Sequence, residues 1–193
     1  ARIAERQNRH DVALDYAQRA YTSYRALGDS ARALAELRRA ATDVNTLVEG
    51  TLELVAAQAE QQGVRVMKSF APDLPALMLD DGVLRQALLN LLLNALQAID
   101  GAGKIRVQIV SHDNQALVSV TDTGRGIASE HLPSIFRPFF TTKGQGTGLG
   151  LSLARRVVED HVGKIEVTSQ PGQGTQFLIW LPFRRPAPPP AAE

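Results

Sequence analysis

The chain has 193 residues, 44% of them apolar and 21% charged, and 21 Lys and Arg against 20 Asp and Glu leave a formal net charge of +1. This is ordinary globular composition for one domain plus an extra element, and it excludes a disordered or fibrous chain. With no cysteine, disulfide frameworks, thiolate metal sites and cysteine nucleophiles are excluded, and the balanced charge gives no global reason to expect nucleic acid as a partner. No apolar run approaches the ~18 residues needed to cross a bilayer. The opening Ala1-Arg2-Ile3, without an initiator Met, is what a fragment of something longer would show.

Residues 1–39 read as helix, because Val12, Leu14, Ala17, Ala20, Tyr21 and Tyr24 recur at three- and four-residue spacing. Gly28-Asp29-Ser30 interrupts the run. A second helix, capped by Thr42 or Asp43, is expected to reach about residue 62 and end at Gly63. Residues 64–70 read as a strand, Pro72 and Pro75 as a loop, and Asp80-Asp81 as the cap of an apolar helix reaching Ile99. Residues 104–111 and 115–122 form a hairpin around His112-Asp113-Asn114, with Ile105, Val107 and Ile109 alternating against Arg106 and Gln108. Residues 123–150 are rich in Gly, Pro and Thr and too long for a plain connection, which marks a functional loop. A helix over 151–161 and a closing hairpin of 164–169 with 176–183 complete the pattern, and the Pro-rich tail from Arg184 reads as linker. The sum is an α/β two-layer sandwich: a mixed, mostly antiparallel sheet with helices on one face, preceded by the helical segment.

Three features of this pattern carry chemistry. On the apolar helix, Gln86, Asn90, Asn94 and Gln97 lie at spacings of four, four and three, which places them on one face. Unsatisfied amides buried there would cost roughly 1–3 kcal/mol each, so something polar must meet the stripe. Neighbouring backbone or trapped water would do, and so would a hard cation with phosphate oxygens, for which amide carbonyls are acceptable ligands.

Alternation in residues 117–122 puts Asp122 on the face of Val118 and Val120, at the rim of the core. Thr123-Gly124-Arg125-Gly126-Ile127 follows, and its two glycines allow positive φ and leave room for a flat ring. The carboxylate either starts a turn or accepts from an exocyclic amine such as that of adenine. Lastly, Gly144-Gln145-Gly146-Thr147-Gly148-Leu149-Gly150 runs into a helix, which is either a flexible loop or an anion cradle served by Arg137 and Lys143. Three of the six Phe residues, Phe136, Phe139 and Phe140, stand ahead of it and read as the hinge that docks this lid. Gly172-Gln173-Gly174-Thr175 reads as a turn; beside Asp122, the Thr175 hydroxyl would support the same amine, directly or through water.

As an ordered set, Asn90-x3-Asn94-Ala95, Asp122-x-Gly124-x-Gly126, Phe136-x-Pro138-Phe139, Gly146-x-Gly148-x-Gly150 and Gly172-x-Gly174-Thr175 resemble the N, first glycine, F, second glycine and third glycine boxes of sensor histidine kinases. The resemblance covers about residues 40–183 and implies the Bergerat nucleotide-binding fold of the GHKL superfamily. Residues 43–63 and Phe139-Phe140-Thr141-Thr142-Lys143 resemble the nitrogen-regulation-like branch.

The resemblance implies ATP and Mg2+ as cofactors. Adenine falls to Asp122, magnesium and phosphates to Asn94 with Asn90, and the lid to residues 137–150. The nucleotide-contacting set it implies is Asn90, Asn94, Asp122, Gly124, Gly126, Ile127, Phe139, Thr141, Thr142, Lys143, Gly146, Thr147, Gly148, Leu149, Gly150 and Thr175. Asn90, Asn94, Arg137 and Lys143 would serve phosphoryl transfer. It also implies a cytoplasmic domain of a homodimeric parent, with or without a membrane anchor, a response regulator as partner and no nucleic acid.

Hydrolysing relatives carry a Glu four residues before the magnesium-binding Asn, as general base for water. Here that position is Asn90, a neutral amide that cannot take a proton, which suits an enzyme that saves the γ-phosphoryl group for a histidine. An ATP-hydrolysing clamp and a non-enzymatic nucleotide-sensing pseudokinase are the competing readings. Gln97 stands where many members have a basic residue, and His161-Val162-Gly163 replaces the frequent His-Gly-Gly as a harmless turn variant. His10-Asp11 lacks the downstream Asn/Thr-Pro of a phosphoacceptor box, so residues 1–39 are read as the end of the dimerisation hairpin, with the acceptor histidine outside this chain. His112 and His131 read as surface residues.

Overall fold

The computed structural model describes residues 40–142 and 146–183. The expectations for residues 1–39, His10, Lys143 and the tail from Arg184 lie outside the described residues. Strand β1 (Ala40–Thr42) leads into α1 (Val44–Gln61), β2 (Val64–Phe70), β3 (Leu77–Leu79), α2 (Asp81–Ala98), β4 (Gly103–His112) and β5 (Gln115–Asp122). A 3-10 turn (Leu132–Ser134), α3 (Gly150–Asp160), β6 (Lys164–Gln170) and β7 (Gly174–Pro182) follow.

The main sheet has five strands in the order β2-β4-β5-β7-β6. Only the β2–β4 pair is parallel, and α2 lies in the crossover between them. All other pairs in this sheet are antiparallel. Asp113 and Asn114 sit at φ 47° and 61°, the backbone that a two-residue hairpin turn demands and that Asp and Asn tolerate. The inward row Ile105, Val107, Ile109, Val118, Val120, Phe177, Ile179 and Leu181 is buried, and α1, α2 and α3 supply the other half of the core. Outward residues such as Arg65, Lys104 and Arg106 stay exposed, so this is the expected mixed sheet with helices on one face.

The helices start where the caps say they should. Asp43 Oδ1 accepts from the Asn45 and Thr46 amides at 2.8 and 3.4 Å, and Asp80 accepts from Val83 at 3.4 Å. In α2, Leu84, Leu91 and Leu96 are almost wholly buried, each contributing about 1.5–3 kcal/mol. The two-stranded β1–β3 sheet, pairing Ala40 with Leu79 and Thr42 with Leu77, was not anticipated. Three-residue strands are too short to show a period, and Pro72 and Pro75 dominate the local pattern.

One sequence expectation is corrected at the end of α3. Val162 sits at φ 59°, a left-handed backbone that costs a β-branched residue about 1–2 kcal/mol. The turn that forces it is locked by His161, whose Nε2 accepts from the Asp80 amide at 3.0 Å while Nδ1–H donates to the Val157 carbonyl at 2.7 Å. His161-Val162-Gly163 is therefore strained rather than harmless. Val162 is 45% exposed, so little packing is lost by removing its side chain. Val162→Gly is expected to raise stability by about 1 kcal/mol and the melting temperature by roughly 2–4 °C, measured by thermal unfolding.

Candidate functional site

The polar stripe of α2 is partly as expected. Gln86, Asn90 and Asn94 are half-buried, but Gln97 is exposed, so the desolvation argument does not reach it. Asn90 Nδ2 is buried and has no hydrogen-bond partner. The start of α3 stands directly beside it: a methyl group placed on Gly150 would lie 3.6 Å from Asn90 Cγ. No side chain caps that start, since the N-cap residue is Leu149. The uncapped start of α3 and the orphaned Asn90 donor are therefore neighbours, a setting that favours an anion.

Asp122 ends β5 with only 4% of its surface exposed. Its Oδ1 accepts from the Gly124 amide at 2.8 Å, and the Thr175 amide donates to the same carboxylate. Burial pushes the carboxyl up from the ordinary Asp range, and these two N–H bonds hold it down only in part. Thr175, on β7, is its directly opposite partner in the sheet and is also buried. The third glycine turn thus lies where the sequence reading needed it, against Asp122.

The glycines after Asp122 are also required by packing. A side chain at Gly124 would sit 2.5 Å from the Ala98 carbonyl oxygen at the end of α2, and one at Gly126, at φ 71°, would sit 2.0 Å from the Gln170 carbonyl oxygen. In the direction a side chain would take, the space is filled by neighbouring backbone. The same packing wedges the turn: Arg125 N–H donates to Ala98 at 2.9 Å, and Arg125 accepts from Gly172 at 2.8 Å. Because Asn94 lies one turn before Ala98, α2 runs from the phosphate-like region at Asn90 to the Asp122 turn.

The loop region has a split character. Phe136 packs edge-on to Phe177 at 6.4 Å, and the Arg155 guanidinium covers its ring at 5.5 Å. Phe140 is half-buried against the His131 ring at 5.7 Å. These two rings are anchors, and His131 keeps 38% of its side chain exposed while packing on one of them. Phe139 is different: it is 65% exposed at φ 66°. Arg137, Thr141 and Thr142 are exposed, Gly146, Thr147 and Gly148 half-buried, and Leu149 buried. His112 is exposed, as expected.

Sequence reasoning missed Ser169. Its Oγ accepts from the Ile127 amide at 2.8 Å, donates to the Gly174 carbonyl at 2.8 Å and lies 2.9 Å from Thr175 Oγ1. A serine in a strand carries no signal by itself; only the pairing of β6 with β7, which sets Ser169 opposite Thr175, reveals it.

Residues 80–185 match the family model described as histidine kinase-, DNA gyrase B-, and HSP90-like ATPase. Sensor histidine kinase ZraS of Escherichia coli K12 is 44% identical over 142 residues, covering 74% of this chain and 30% of that protein. The chain thus spans about a third of the length of this curated relative. The nucleotide-free catalytic domain of histidine kinase ThkA superposes with a TM-score of 0.68 at 32% identity, covering 75% of this chain and 95% of that one. Full-length ShkA in complex with AMPPNP gives 0.70 at 30% identity, with 89% and 40% covered. A ThkA structure in complex with the response regulator protein TrrA gives 0.66 at 26% identity, with 76% and 42% covered.

Proposed function

This chain belongs to the histidine kinase-, DNA gyrase B-, and HSP90-like ATPases, among the catalytic ATP-binding domains of sensor histidine kinases, and from that we propose that it transfers the γ-phosphoryl group of Mg-ATP to a histidine on a segment outside itself. The observation that supports this most is the uncapped start of α3 set against the buried, unpartnered amide of Asn90. Asp122 and Thr175, at the other end of the same helix α2, offer acceptors to the adenine amine.

The division of labour follows from the chemistry of each group. Asp122 reads the purine as an acceptor. The α3 amides, Arg137 and Lys143 balance phosphate charge, and residues 137–150 exclude water as a lid. Asn90 and Asn94 fit a magnesium site, because a carboxamide presents either a donor to a phosphate oxygen or an oxygen to a hard cation. Among the described residues no group of three or more His, Asp or Glu would hold a metal, which suits an ion that takes most of its oxygens from water and phosphate. The ion supplies charge neutralisation for the transferring group when bound. Asn90 cannot act as a base for water, so the γ-phosphoryl group is kept for transfer.

Residues 40–183 form the catalytic domain in this reading. Residues 1–39 belong to the dimerisation hairpin, 184–193 to a tail, and the parent is a homodimer that partners a response regulator on the cytoplasmic side. Among the described residues no helix is long and apolar enough to cross a membrane. Incubation with γ-labelled ATP and the parent's upstream helix tests the central claim. Acid-labile, alkali-stable label on that helix is expected. Release of free phosphate with no labelled helix would overturn it.

A further inference from the structure

Asp122, Thr175 and Ser169 form one row across three strands. Asp122 pairs with Thr175 between β5 and β7, and Thr175 pairs with Ser169 between β7 and β6. The hydrogens of this row can be assigned by elimination. The Gly174 carbonyl, 2.8 Å from Ser169 Oγ, can only accept, so it takes the one hydroxyl proton of Ser169. The Ile127 amide donates to Ser169 Oγ at 2.8 Å and uses one of its lone pairs. The 2.9 Å contact with Thr175 Oγ1 is then a hydrogen bond only if Thr175 is the donor. This fills the remaining lone pair of Ser169 and spends the single proton of Thr175.

We infer that Ser169 is a specificity-determining positioning residue: it consumes the Thr175 proton and so leaves the Thr175 hydroxyl able only to accept on the side of Asp122. Two neighbouring acceptors, the Asp122 carboxylate and Thr175 Oγ1, then face the six-position of the base. They favour an exocyclic amine, directly or through one water, and reject a carbonyl there. A threonine alone would not discriminate, because its hydroxyl could turn and donate to a carbonyl. The selection of a 6-amino over a 6-oxo purine is therefore set in part by a serine 2.9 Å behind the hydroxyl that meets the base.

The inference rests on the adenine assignment of Asp122, so its test separates the two. Binding of ADP and IDP to the full chain is measured by calorimetry for the wild type, Ser169→Ala, Ser169→Thr and Thr175→Val. The wild type is expected to prefer ADP; equal affinities there would overturn the Asp122 assignment and this inference with it. Ser169→Ala is expected to lower the ADP-to-IDP preference about fivefold or more, the size of one misdirected hydrogen bond. Ser169→Thr, which keeps the hydroxyl, restores it. In a Thr175→Val background Ser169→Ala no longer changes the preference. If Ser169→Ala weakens both nucleotides equally, or neither, with the wild-type preference for ADP intact, Ser169 merely props the Ile127 turn and the inference is overturned. Ser169→Cys, close in size and a poor donor, gives the same reading should the alanine variant fail to fold.

Discussion

Asp122→Asn is expected to weaken ATP binding by about 10- to 100-fold while making the nucleotide-free protein more stable at neutral pH. The first part follows from losing a charged acceptor, and hydrogen bonds to charged groups are worth about 1.5–3 kcal/mol. The second follows from linkage. Burial raises the Asp122 carboxyl above its unfolded value, so between the two values the folded state binds more protons than the unfolded state, and stability falls as pH rises. Above the raised folded value the full penalty of the buried charge is present; below about pH 3.9, the ordinary Asp value, it is absent. Asn carries no such charge and still offers an oxygen to the Gly124 amide, 2.8 Å away. Thermal unfolding should therefore show the variant above the wild type at pH 7, with the gap closing as the solution is acidified, and calorimetry should show the loss of affinity. An undiminished affinity would remove Asp122 from the site, and a wild-type protein that is the more stable at pH 7 would overturn the burial penalty on its carboxylate. Such an opposition of stability and binding is what a residue kept for its ligand produces.

Asn94→Ala is expected to reduce magnesium-dependent phosphoryl transfer by at least about 100-fold, the usual effect of deleting one group that meets charge developing in the reaction. Adenosine binding should be little changed, because the base is read on β5 and β7 and Asn94 lies on α2. Ala is also the better helix former, by about half a kcal/mol, so α2 persists without the amide. Transfer assays at varied magnesium, beside adenosine binding, separate the two ends of the site. Normal transfer by this variant would take Asn94 out of the phosphate region. Loss of adenosine binding along with transfer would show that the substitution had damaged α2 as a whole.

Much of this protein could be read residue by residue. The α2 face carrying Asn90 and Asn94, the inward Asp122, the Asp113-Asn114 turn and the helix caps Asp43 and Asp80 all follow from local rules, namely the 3.6-residue period of a helix, the two-residue period of a strand and side chains that bond their own backbone. The set of boxes, with their order, pointed to the family for the same reason. Beyond the two local hairpins, what lies between strands and between layers was not legible. Ala98 and Gln170 press on Gly124 and Gly126 where a side chain would stand, a packing reason for glycine that the local pattern did not show. Phe139 differs from Phe136 and Phe140 in its left-handed backbone and its exposure, neither of which the local pattern shows. Val162 is strained because His161 is tied to Asp80 across the core.

Sequence by itself determined which side chains could do chemistry and on which face of its own element each would stand, since periodicity and capping are properties of neighbouring residues. The β6–β7 hairpin was also legible, but tertiary structure alone decided its exact register and that β7 lies beside β5, bringing Ser169, Thr175 and Asp122 into one row. The direction of a proton along that row depends on the Ile127 amide, far from Ser169 in the chain, as well as on the strand register, and no local pattern encodes that combination.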